Sequence, residues 1–164
     1  MAKNNTRLEN LMSQIIENYA HGITREWRHD NRLVIVQTQG DTSDEAVDTW
    51  AELVIKTLEA MPETGAFFFI DDLSHPNQTI TPYAMKNSRD VMNNVPRLRE
   101  QTYFAVVLPD SFVARIGAVL MKQFLSWGSK VKYKVFTSRV DADKWIHENL
   151  EKEGIIPHDS SVSS

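Results

Sequence analysis

Hydrophobic positions follow two rhythms along this chain: stripes at helical spacing, and short unbroken apolar runs. Leu8, Leu11, Met12, Ile15, Ile16 and Tyr19 recur every three or four positions and predict an amphipathic N-terminal helix, stopped at Gly22. Ile23–Arg28 and Arg32–Gln39 flank the turn-forming His29-Asp30-Asn31, the pattern of an antiparallel hairpin. Thr42-Ser43-Asp44-Glu45 has capping-box spacing and opens a helix to about Met61, where Pro62 blocks continuation. The apolar face of that helix is Val47, Trp50, Ala51, Val54, Leu58 and Met61.

Phe67-Phe68-Phe69-Ile70 has no polar interruption and predicts a strand buried on both faces, as a central strand of a helix-covered sheet must be. The run stops at Asp71 and Asp72, and a polar loop leads to Thr81-Pro82, a capping hydroxyl followed by proline at the first helical position. That helix ends before Val95-Pro96, because the residue ahead of a proline avoids the helical region. Gln101–Leu108 reads as the next strand, and Pro109-Asp110-Ser111 caps an apolar helix from Phe112 to about Trp127. Val131–Phe136 is the last strand, and Ser138 caps a helix with Ala142, Trp145, Ile146 and Leu150 facing inward.

Strands alternating with helices call for parallel crossovers, while the hairpin adds an antiparallel strand. The predicted class is α/β, with a mixed, mostly parallel five-stranded sheet and an extra N-terminal amphipathic helix. The expected limits are residues 1–22 for that helix, 23–150 for the domain and 151–164 for a mobile tail.

Composition narrows the chemistry. With 164 residues, a net charge of −4 and interspersed signs, the chain has no basic footprint for nucleic acid. No cysteine is present, which removes disulfides, thiolate metal sites and thiol nucleophiles and fits a cytoplasmic protein. The longest apolar runs are too short to span a bilayer, so no membrane insertion is expected. The five histidines show no metal-ligand spacing, and no glycine-rich phosphate loop or nucleophile elbow occurs. These patterns predict no catalytic residue, no metal and no cofactor. Asp71 and Asp72, as neighbours on a strand, point to opposite faces and do not converge unless the strand has already ended, in which case His75 could complete a small polar cluster with them. Asp72 or Ser74 is expected to accept loop backbone N–H groups in a turn. The stripe through Leu8, Leu11, Met12, Ile15, Ile16 and Tyr19 is too short to stand alone, so it docks on its own domain or forms a homodimer seam.

Three places resemble the STAS-like fold in its SpoIIAA-like branch. Phe69-Ile70-Asp71-Asp72-Leu73-Ser74 is similar to the strand-end Asp-Leu-Ser of anti-sigma-factor antagonists. Ile80-Thr81-Pro82-Tyr83-Ala84 lies where those proteins place a phosphorylatable hydroxyl at a helix N-terminus. Val135-Phe136-Thr137-Ser138-Arg139, with Ala142 and Trp145-Ile146, resembles their closing strand and helix. Where the antagonists carry an Asp-Ser-Ser-Gly type sequence, this chain has Ile80-Thr81-Pro82-Tyr83. The resemblance implies a non-catalytic regulatory module that docks a regulatory protein partner through Asp72, Ser74, Thr79 and Thr81, with Thr81 as phospho-acceptor candidate. A second reading is a small apolar-ligand binding protein. Its pocket between sheet and helices would be lined by Met85, Met92, Met121 and Phe124.

Overall fold

The computed structural model describes residues 15–94, 101–111 and 131–157, the side chains of 92–94 excepted. Its strands are β1 (Ile15–Asn18), β2 (Thr24–Arg28), β3 (Leu33–Gln37), β4 (Phe67–Asp72), β5 (Thr102–Val107) and β6 (Val131–Phe136). Its helices are α1 (Asp44–Glu59), α2 (Pro82–Asn94) and α3 (Arg139–Lys152). The strands form one mixed six-stranded sheet in the order β1-β2-β3-β4-β5-β6. The first two pairings are antiparallel and the other three parallel.

Alternation along the apolar runs sorts the core into two layers. Val34, Val36, Phe67, Phe69, Phe104 and Val106 face α1 and Val91 of α2. Leu33, Ile35, Phe68, Ile70, Tyr103 and Val107 face Ala142, Ile146 and Leu150 of α3. The register places Phe68 beside Tyr103 and Phe69 beside Phe104, and both ring pairs stack, at 4.6 and 4.7 Å between centroids. Stacks of this kind contribute about 0.5–1.5 kcal/mol beyond area burial. Here one lies on each side of the same two strands.

Caps fix the helix starts. Ser43 accepts from the Ala46 N–H at 3.3 Å, so the cap is Ser43 rather than the expected Thr42, and with alanine at the third helical position the expected capping box is replaced by a simple cap. Ser138 accepts from the Asp141 N–H at 3.4 Å, as the sequence predicts. At the far end of α3, Gly154 (φ 71°) permits a Schellman closure, with Ile155 N–H to Leu150 O and Gly154 N–H to Glu151 O, both 3.0 Å. Ile155 and Ile156 then pack against the α3 side of the core, so the packed part of the chain continues past residue 150.

The N-terminal expectation needs correction where it can be compared. Ile15–Asn18 form a strand, which raises the sheet from the expected five strands to six. Glu17 lies directly opposite Arg25, whose Nε donates to Glu17 Oε2 at 2.6 Å. The Arg25 guanidinium also lies over the Tyr19 and Trp27 rings, at 5.6 and 5.2 Å. These cross-strand contacts and the backbone ladder outweigh a short helical stripe. Ile15 and Ile16 are each 57% exposed, and Tyr19 packs partly on the core, so they do not share a helical seam. Leu8, Leu11 and Met12 lie outside the described residues, as does the predicted helix from Phe112 to Trp127. No helix among the described residues is long and apolar enough to cross a membrane.

Burial sets the expected response to truncation. Phe69→Ala, at a fully buried ring, should lower unfolding stability by about 3–5 kcal/mol in urea titration. Ile16→Ser, on the exposed edge strand, should change it by no more than about 0.5 kcal/mol.

Candidate functional site

Strand β4 ends on two acids that the pleat sends to opposite layers, as their adjacency predicts. On the α3 side, the Asp72 carboxylate is fully engaged. Its Oδ1 accepts from the Ser74 N–H (3.1 Å) and Ser74 Oγ (2.6 Å), and its Oδ2 accepts from Arg139 Nη1 at 2.8 Å. Arg139 also donates through Nε to Asp143 Oδ1 at 2.9 Å. Asp72 therefore closes the loop turn and ties β4 to the first turn of α3, with its side chain only 3% exposed.

Asp71 faces the other layer and among the described residues has a single hydrogen bond, from Trp50 Nε1 of α1 to its Oδ1 at 3.0 Å. The residue is 2% exposed, flanked on its strand neighbours by Val36 and Val106. Burial, the largest cause, pushes the carboxyl up to about 7; the Trp50 bond opposes the rise and the Asp72 charge adds to it. Tyr133 lies on the same side of the sheet, and its phenol is pushed up by burial and by the Asp71 charge. No lysine, arginine or histidine among the described residues pairs with Asp71.

Above Asp71 lies a cleft of about 80 Å³ between the sheet and the two helices. Phe104, Val106 and Asp71 contribute from the sheet, Val47, Trp50 and Val54 from α1, and Ala84, Ser88 and Val91 from α2. The loop after β4 supplies Gln78, Thr79 and Ile80. That loop is pinned just past the end of β3 by Thr38 Oγ1, which donates to Gln78 Oε1 at 2.8 Å. Asp41, also on the lining, is exposed and marks the mouth. Hydrogen bonds from the Ser43 backbone and hydroxyl, then from His21, hold the Asp41 carboxyl down at about 2, so the mouth stays negative.

The residues singled out from sequence separate in space. Thr79 is exposed and lines the cleft, whereas Thr81 is half-buried and caps α2, accepting from the Ala84 N–H at 3.1 Å. Ser74 is half-buried and bonded to Asp72, and Asp72 is buried rather than presented on a surface. Met85 is half-buried but is not among the residues lining the cleft. The Met92 side chain, Met121 and Phe124 lie outside the described residues. His75 makes no bond to either acid. It packs where a Cβ on Gly40 would stand, 2.2 Å from its Nδ1, and Gly40 has φ 84°. No group of three or more histidines and acids among the described residues can hold a metal ion.

Sequence reading missed the pair Trp50–Asp71. One signal was available: an indole N–H on a buried helical face demands an acceptor, and an acid at the end of a fully apolar strand supplies one. The partner lies 21 positions away, which no local pattern encodes.

No protein-family model matches this chain, and no curated protein or solved structure matches it either.

The raised Asp71 carboxyl fixes the sign of a pH effect. Below the ordinary value of 3.8 both folded and unfolded chains hold the proton; between about 4 and 7 only the folded chain does. Stability from this group therefore falls as pH rises through that window and levels off above it. Asp71→Asn should remove this component, so the variant gains on the parent by roughly 4 kcal/mol between pH 4 and pH 8. Parallel urea titrations across that range check it, and a constant difference between the two proteins contradicts the assignment.

Proposed function

We propose that this chain is a non-catalytic binding protein whose site is the cleft between α1, α2 and the sheet at the end of β4. One observation carries the reading: a buried carboxyl with an uncommitted oxygen lies on an otherwise largely apolar lining. A buried polar group without its full complement of partners is costly, and ligand pockets use a few such groups to orient an apolar body. The surrounding architecture supports rigidity. α1 and α2 pack on each other, and the Thr38–Gln78 bond holds the loop over the site.

The second reading is the regulatory docking module that the STAS-like resemblance implies. It is favoured by one feature of the same loop. Thr79 is exposed on the cleft lining, and Thr81 starts α2 two positions later. A phosphate on Thr81 would lie on the positive end of the α2 dipole, while losing the plain cap would cost about 1 kcal/mol. In this reading a partner recognises the rim, and occupancy beneath the loop alters the surface it meets.

A thermal-shift screen with small neutral, cationic and anionic fragments tests the cleft. A fragment at ten times its Kd adds about 1.4 kcal/mol, which is roughly 3–5 °C in Tm for a domain of this size. Ala84→Phe, placed on the α2 wall, should abolish those shifts while leaving the unliganded Tm within a few degrees. If no fragment shifts the parent protein more than the variant, the cleft is not a binding site.

A further inference from the structure

We infer that the cleft takes a small primary amine, its ammonium group pairing with Asp71 and its short aliphatic body lying against Val47, Val54 and Phe104. This rests on the cleft being a binding site, and it follows from the charges that line it. Asp71 lies on the sheet side and Asp41, bonded to His21 outside the lining, at the mouth, and no lysine, arginine or histidine is on the lining among the described residues. The Asp71 carboxylate, which has no basic partner among the described residues, repels an anion. A like charge beside a desolvated carboxylate costs far more there than in water.

The hydrogen bonds separate a cation from a neutral ligand. Trp50 Nε1 already donates to Asp71 Oδ1, so in the ionised carboxylate the other oxygen is free to accept from a ligand donor. An ammonium supplies that donor together with the charge that an ionised buried carboxylate lacks, and a neutral hydroxyl supplies only the donor. Further acceptors line the same cleft. Ser88 Oγ donates to Ala84 O at 2.8 Å, and Gln78 Oε1 accepts from Thr38 at 2.8 Å; each oxygen keeps a lone pair. An ammonium carries three N–H donors and can use more than one acceptor. Volume limits the body: about 80 Å³ is smaller than the ~150 Å³ engineered apolar cavity that holds benzene. A chain of a few carbons fits, and anything longer must extend through the mouth past Asp41.

The test compares butylamine, 1-butanol and butyrate, which share a body and differ in the head group, by protein-observed NMR titration. Butylamine should bind at pH 8 at least tenfold more tightly than 1-butanol, and butyrate should not bind. Because Asp71 must give up its proton to pair, butylamine affinity should fall about tenfold from pH 8 to pH 6. Asp71→Asn should bring butylamine down to the level of 1-butanol and remove that pH dependence. The pH series on the parent protein stands even if the variant fails to fold. Butanol binding as well as the amine, or an amine affinity that neither pH nor the variant changes, overturns the amine assignment. If other fragments shift Tm in an Ala84-dependent way while butylamine does not bind, the assignment fails and the cleft stands. If nothing binds, both fall.

Discussion

All six residues of β4 are buried, so its successive side chains must be taken up by two different layers. Phe67, Phe69 and Asp71 go to the side of α1 and α2, while Phe68, Ile70 and Asp72 go to the side of α3. A one-residue slip of register would exchange these sets and place each acid against the wrong partner. The aromatic stacks with β5 oppose such a slip, because Tyr103 and Phe104 meet their partners only in the observed pairing. Packing on both faces thus also decides the electrostatics at the strand end.

The two acids show what that decision does. Asp72 meets a guanidinium, a hydroxyl and a backbone N–H, and its charge is compensated within hydrogen-bond distance. Such an arrangement closes a turn and orients a helix; it leaves nothing for a ligand. Asp71 meets one indole N–H among apolar neighbours, and its proton is held more tightly as a result. A difference of one position in sequence separates a charge-compensated carboxylate from an uncompensated one. The cleft inherits its character from the second.

Among the described residues the parallel half of the sheet advances one strand at a time, so its strand order offers no switch point. The space beside β4 arises differently, where α1 and α2 stand off the sheet near the strand end and the loop through Gln78 and Ile80 closes over them. That loop is held by a polar contact to Thr38 rather than by a buried apolar anchor alone. The site is consequently bounded by two helices and one hydrogen-bonded loop.

Much of the fold was legible in the residues. The hairpin around His29-Asp30-Asn31, the caps at Ser138 and Thr81, and the doubly buried run Phe67–Ile70 all act over short distances, and local chemistry encodes them. Adjacency alone also determined that Asp71 and Asp72 diverge. The edge strand at Ile15–Asn18 was not legible, because its pairing with Arg25 and Trp27 competes with a helical stripe that looks equally good locally. Nor could the chain announce which acid is compensated. Trp50 and Arg139 lie 21 and 67 positions from their respective acids, and only the packing of α1 and α3 on opposite faces brings them there. Periodicity and capping follow from neighbours along the chain, whereas the protonation of a buried carboxyl follows from neighbours in space.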